Sequence, residues 1–291
     1  MVPSKPTATT DAPLSAAELG QAEALVAEAG WNQTLADWKI FLDFGTVRTA
    51  RAEGRVVATA ASLPYGGSFA WISMVLVAGS HRRRGLATAL LKRCVEDLTA
   101  VGLIPILDAA PAGREVYLPL GFRDSWCFTR LAMPASRRKP VAPPLPAGIE
   151  IGPIDDAIWP DVCTCDAASF GAARPEVLAR LRRRVAGCDL AALNQGRVVG
   201  FMLARDGRLA TQLGPVIADD ETIAQNLIAH GLAAAPGPLC LDVPDSKPGL
   251  RAWLEAQGAS AVRPFIRMAL GRDRGFDDPA TISAVAGPEL G

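Results

Sequence analysis

The residues from Ser73 to Leu91 (S-M-V-L-V-A-G-S-H-R-R-R-G-L-A-T-A-L-L) combine an apolar run, a tight turn, three consecutive arginines and small residues at Gly85 and Ala87. The run 70–77 reads as a strand that ends in the Ala-Gly-Ser turn, and a long helix opens around Gly85–Ala87. The first amides of a helix have no intrahelical partners and lie at the positive end of its dipole, so such a turn binds anions. A larger Cβ at position 85 or 87 would hold a diphosphate away from those amides. Arg82, Arg83 and Arg84 add positive charge at the mouth. A basic helix start is also an ordinary solvated turn. Its place behind a strand and before the longest helix favours a cradle for the phosphates of a nucleotide-like cofactor.

Little else in the chain offers chemistry at a readable spacing. There are two tyrosines, Tyr65 and Tyr117, and two histidines, of which His81 reads as a surface loop residue. Six cysteines lie at 94, 127, 163, 165, 188 and 240. Cys163 and Cys165 form a C-x-C pair without a second pair or a histidine cluster at ligand spacing, so no metal is expected. Scattered thiols fit a reducing cytoplasm.

The elements that must position the loop follow from apolar spacing. Helices are expected at 15–29 and 34–42, strands at 46–52, 55–63 and 70–77, a helix at 85–100, a strand at 103–107, a helix at 112–119 and a strand near 125–132. Ser15 followed by Glu18 is a capping-box signature for the first helix. Residues 134–147 are rich in proline and read as an extended linker, with the basic triplet Arg137–Lys139 as part of a solvated connector.

Beyond the linker the order partly repeats. Strand 148–154 precedes helices 155–168 and 174–186. Strands 188–194, 197–205 and 212–217 follow, then helix 221–234, strand 238–243, helix 247–256 and strand 259–270. The expected fold class is α/β (α+β), with two tandem domains at 13–133 and 148–270, each a mixed, mostly antiparallel sheet flanked by helices. Residues 1–12 read as a flexible tail, and 271–291 as a tail without a predictable path.

The 291 residues are 49% hydrophobic and 21% charged, which suits a globular protein with a real core. Thirty basic side chains balance thirty acidic ones, so nothing global draws the chain to nucleic acid or to an anionic membrane. No apolar run approaches the ~20 residues of a spanning helix.

The run His81–Leu91 resembles the acetyl-CoA loop of the GCN5-related N-acetyltransferase (GNAT) superfamily, whose pattern is Gln/Arg-x-x-Gly-x-Gly/Ala. Residues Tyr117-Leu-Pro-Leu-Gly-Phe122 are similar to the family's Tyr-x-x-x-Gly-Phe ending. The stretches 31–38, 109–114 and 287–291 resemble a subgroup with two tandem GNAT domains.

That resemblance implies an N-acetyltransferase, with acetyl-CoA or another acyl-CoA as co-substrate and no metal. Val75, Leu76 and Val77 would pair with the pantetheine arm as an added strand. The amides of Arg82, Arg83, Arg84, Gly85, Leu86, Ala87 and Thr88 would take the pyrophosphate, and Gly113 would be a further cofactor contact. Strands 70–77 and 103–107 would splay to admit the thioester. Tyr117 would donate a proton to the departing thiolate. Trp31, Asn32, Asp37 and Trp38 would wall the acceptor pocket, although both indoles read equally well as core. The family often has a Glu on the strand before the loop, and 70–77 contains none; Asp108, Asp37, Tyr65 or a water chain remain as bases. Ala110 stands where the family often has an asparagine.

The expected reaction is direct attack by an amine, from a small molecule or a peptide, in a ternary complex. The alternative is a catalytically inactive acyl-CoA-binding or regulatory module. The second copy carries Asp219, Asp220 and Glu221 at the corresponding helix start, without arginine or glycine. It is expected to hold no acyl-CoA, and to pack on the first half, complete the acceptor pocket or mediate a homodimer.

Overall fold

Ser15 and Glu18 meet as their spacing predicts, the Ser15 amide donating to Glu18 Oε2 at 3.0 Å, but the turn they close, Ala16–Glu18, is 3-10 and the α-helix starts at Leu19. A computed structural model describes residues 12–135 and 140–291. The expected tail through Asp11 and the triplet Arg137–Lys139 lie outside the described residues. The chain divides into two units, one up to Ile106 and one from Leu107 onward.

In the first unit, β1 (Ala12–Pro13) leads into α1 (Leu19–Glu28) and α2 (Leu35–Phe44). Strands β2 (Thr46–Ala52), β3 (Arg55–Tyr65) and β4 (Phe69–Val77) follow, then α3 (Leu86–Ala100) and β5 (Ile104–Ala109). The order β1-β2-β3-β4 is antiparallel throughout, and β5 joins β4 in parallel. A parallel neighbour requires a crossover, and α3 supplies it. That helix buries Leu90, Leu91, Cys94 and Leu98, one face at helical spacing, against β3 and β4. Each buried leucine contributes about 1.5–3 kcal/mol. Glu18 also accepts from Arg51 at 2.8 Å, and this hydrogen bond, with those from Ser15, holds its carboxyl down to about 2.

The second unit contains α4 (Pro111–Tyr117), β6 (Phe122–Met133), β7 (Ile149–Pro153), α5 (Trp159–Phe170) and α6 (Pro175–Leu181). Next come β8 (Leu190–Asn194), β9 (Arg197–Arg205), β10 (Thr211–Ala218), α7 (Glu221–Ala234) and β11 (Leu239–Pro244). The chain continues through α8 (Pro248–Ala256), β12 (Ser260–Leu270) and β13 (Ile282–Ala284). The run β8-β9-β10-α7-β11 repeats β2-β3-β4-α3-β5, down to the single parallel pair. Each half is thus a mixed, mostly antiparallel α/β arrangement flanked by helices.

Two features depart from simple repetition. Strand β6, expected as the last strand of the first half, lies between β12 and β11, with Leu131 opposite Leu241 and Phe128 opposite Phe265. The helix expected over 174–186 stops at Leu181, because Arg183 adopts φ +65° and gives its amide to Asp189 at 2.5 Å. Among the described residues no helix is long and apolar enough to cross a membrane.

Candidate active site

Strand β4 carries an irregularity just before the loop. Its register with β3 shifts between Leu76 opposite Thr59 and Ser73 opposite Ala61, so Met74 and Val75 bulge out opposite Ala60. Met74 takes φ +51°, and its carbonyl accepts the buried Thr59 hydroxyl at 2.8 Å. Parallel pairing with β5 covers Phe69–Trp71 against Ile104–Ile106, at the start of the strand only. The later residues Val75, Leu76 and Val77 line a cleft of about 450 Å³. A bulge re-aims the backbone, and here it stands where the expected cofactor arm would pair.

The loop beyond is tied down by hydrogen bonds to neighbouring elements and to itself. The Ala78 amide donates to the Val57 carbonyl at 2.8 Å, and the Gly79 amide donates to Glu28 Oε1 at 2.6 Å. Arg82 Nε donates to the Val77 carbonyl at 3.2 Å, and Arg84 Nη2 donates to the Ser80 carbonyl at 2.8 Å. Arg83 sits at φ +59°. All three arginines are exposed, and His81 borders the same cleft, with Nδ1 2.9 Å from the Ser80 hydroxyl.

Gly85 is the residue before α3, at φ +80°, and among the described residues no side chain caps the helix. The first-turn amides are therefore left for an anion. A Cβ there would meet no atom of the protein within 4 Å, so the left-handed conformation is what the fold itself asks of this glycine. Leu86, Ala87 and Thr88 line the cleft beside it. The donor set fits a diphosphate: uncapped amides, a left-handed entry, and Arg82 and Arg83 lining the cleft.

Of the four residues expected at an acceptor wall, Trp31 lines this cleft and Asn32 is buried next to it in sequence. Trp38 is fully buried, with its ring edge-on to Phe41 at 6.2 Å, so the core reading holds for that indole. Asp37 Oδ2 accepts the Thr34 amide at 2.8 Å and is the third residue of a second capping box. Both side chains point inward because α2 turns that face to the sheet.

Within the second unit, Tyr117 ends α4, half-buried, with its ring 6.1 Å from that of Phe122. Burial pushes its phenol above the ordinary value, so it holds its proton at neutral pH. Gly113 lies under that ring: a Cβ there would stand 3.1 Å from Tyr117 Cε2. Gly113 thus makes room for the tyrosine. Asp108 is a poor base, because its side chain is fully buried and gripped by Arg267 through two 2.9 Å hydrogen bonds. Tyr65 is also buried, against Phe69 and Trp71.

Thr59 and Glu28 escaped the sequence reading. A threonine in a strand and a glutamate on a helix carry no local sign of the distant backbone groups they bind.

Comparison with known proteins bears on the family and the fold. A model of the GNAT acetyltransferase family matches residues 19–122, and a second GNAT acetyltransferase domain model matches residues 162–281. An uncharacterized N-acetyltransferase of Bacillus subtilis, YitH, is 24% identical over 190 residues. That match spans 64% of this chain and 64% of the relative, so the chain covers less than two thirds of its length. A putative acetyltransferase from Pyrococcus horikoshii superposes with a TM-score of 0.78 at 19% identity, covering 100% of this chain and 99% of that one. A tandem GNAT protein from the clavulanic acid biosynthesis pathway gives 0.65 at 18% identity, over 90% and 98% of the two chains. The chain belongs to the GNAT acetyltransferase family, with two such domains in tandem.

Proposed function

We propose that the chain is an N-acetyltransferase that uses acetyl-CoA, or a close acyl-CoA, and passes the acyl group directly to an amine in a ternary complex. The uncapped start of α3 behind the left-handed Gly85 carries this reading. Helix-start amides that no side chain among the described residues caps, at the rim of a cleft, suit a diphosphate. The amides from Arg82 to Thr88 would hold it, and the backbone of Val75–Val77 would add the cofactor's arm as a strand beyond the bulge.

The bound thioester supplies the activated acyl group. The protein has to orient it, admit a neutral amine, and provide a proton for the departing sulfur. Tyr117 is assigned that proton: its phenol is neutral at physiological pH and makes no hydrogen bond to another described residue. Trp31 is assigned to the acceptor, as an apolar wall beside Val75, with Asn32 next to it. Asp37 and Trp38 support that wall through the cap and core of α2. A small-molecule or peptide amine suits this description.

Two measurements test the proposal. Acetyl-CoA should raise the melting temperature of the full chain, and free thiol should appear when the protein is incubated with acetyl-CoA and a panel of amines. Protection without thiol release for any amine would leave a cofactor-binding module. Absence of protection would remove the loop assignment altogether.

A further inference from the structure

Strands β10 and β11 part almost as soon as they meet. Their parallel register covers Thr211–Leu239 and Gln212–Cys240, two residue pairs, and beyond it a third strand stands between them. That strand is β13. It runs antiparallel to β10, with Ala284 opposite Val216 and Ile282 opposite Ile217, and the Ala218 amide donates to the Thr281 carbonyl at 3.0 Å. On its other side the Val285 amide donates to the Asp242 carbonyl of β11 at 3.1 Å. Residues 282–286 are all buried, although nothing in their short pattern foretold a strand.

The slot is shaped for backbone. A Cβ on Gly214 would stand 2.2 Å from the Val285 carbonyl oxygen, so only glycine lets the segment come this close. It also contains a charge that the segment completes. Arg205 on β9 is fully buried and pairs with Glu289. The same guanidinium reaches Gln212 Oε1 at 3.4 Å, and Gln212 Nε2 donates to Asp242 at 2.6 Å. Asp242 in turn takes Arg130 in a two-armed pair at 2.8 and 2.6 Å. Two cations and two anions balance in this chain of contacts, and Glu289 is the anion contributed by the inserted segment. Taking it away would leave two buried cations to one buried carboxylate.

By topology this slot corresponds to the Val75–Val77 end of β4, which lines a cleft. The adjoining helix starts also differ. Asp220 caps α7 by accepting the Ile223 amide at 2.9 Å, whereas α3 has no side-chain cap. Its first-turn amide is used by the protein itself, and acidic side chains surround it.

We propose that the parted strands β10 and β11 form a receptor for a peptide segment that adds a short strand and carries one carboxylate, and that residues 282–291 are its ligand in cis. The slot reads backbone through strand addition on both sides and reads one carboxylate through Arg205. This assignment does not rest on the acyl-transfer reading of the first domain. It gives that domain's repeat a binding chemistry of its own, for a peptide strand in place of a thioester.

The test begins with the full chain, folded, with a specific protease site inserted after the exposed Asp273. After cutting, the released segment should remain with the protein through gel filtration. A labelled synthetic peptide of residues 279–291 should exchange into the slot, and the same peptide with Glu289→Gln should bind roughly a hundredfold more weakly. Departure of the cut segment with an unchanged melting temperature, or equal binding of the two peptides, would overturn the proposal. In the uncut chain, the Ala218 and Val285 amides should exchange hydrogen slowly, and saturating CoA should leave them slow. Fast exchange, or acceleration by CoA, would make the slot a loose end or a cofactor site and sink the idea.

Discussion

The Thr59 hydroxyl donates to the carbonyl of Met74 across 2.8 Å of buried interior, fifteen residues along the chain. That carbonyl belongs to the bulge in β4, which has lost its regular partner on β3 at this point. The threonine satisfies a group that the irregularity would otherwise leave unpaired, and so holds the backbone beside Val75 in its displaced position.

Thr59→Val keeps the shape and deletes the donor. An unsatisfied buried carbonyl costs about 1–3 kcal/mol, so the melting temperature should fall by several degrees. If the bulge positions the cofactor's arm, acetyl-CoA affinity should fall as well, and Thr59→Ser should restore both. A loss of stability with unchanged affinity would confine the threonine to the fold. Calorimetric titration with CoA beside thermal melts separates the two.

Gly85→Val places a branched side chain at φ +80°. The conformation costs an L-residue about 1–2 kcal/mol, more for a branched one, since no clash but the backbone itself is at stake. The variant should lose stability by that amount and bind CoA at least tenfold more weakly, while Arg83→Ala, at the rim, should weaken binding in a salt-dependent manner. Titrations at two ionic strengths check this.

Tyr117→Phe should lower kcat and leave the KM for acetyl-CoA nearly unchanged, because only the proton donor is removed. The acid form is the active one. Its pKa is raised by burial, so activity limited by this group should persist past pH 9 and fall only above the ordinary phenol value of about 10. A pH–rate profile whose alkaline limb is unchanged in Tyr117→Phe would assign the limb to another group.

Arg267 faces two carboxylates, Asp108 and Asp277, and all three side chains are buried. One cation cannot fully offset two desolvated anions. Burial lifts Asp108 to about 6, against the pull of Arg267 and with the push of Asp277. The folded state thus holds a proton that the unfolded chain, near the ordinary ~4, has released. Stability from this group is complete below about pH 4 and declines as pH rises through about 6. Thermal melts across that window should show the decline in the wild type and a flatter profile in Asp108→Asn.

Much of this molecule is written in short-range pattern. The Ser15–Glu18 pair forms as its spacing says, around a short 3-10 turn that leads into α1, and the strand–turn–helix run from 70 to 100 follows from apolar spacing and one glycine. The candidate loop was legible because the groups that make it, consecutive amides and three arginines, are neighbours in sequence. The left-handed φ of Gly85 was not legible, because a string of letters does not carry a backbone angle.

Other features arise only when distant segments meet. Strand β6 finds partners in β11 and β12, over a hundred residues away, because apolar faces such as Leu131 and Leu241 are buried there together. Trp38 and Asp37 turn inward for the same reason, and Arg267 meets Asp108 across 159 positions. Residues 282–284 have no period of their own and become a strand because two parted neighbours offer unpaired backbone groups on both sides. Local spacing sets which segments curl or extend, since those preferences act within a few residues; which of them touch is settled by desolvating whole surfaces and pairing every buried polar group, and that accounting closes only in three dimensions.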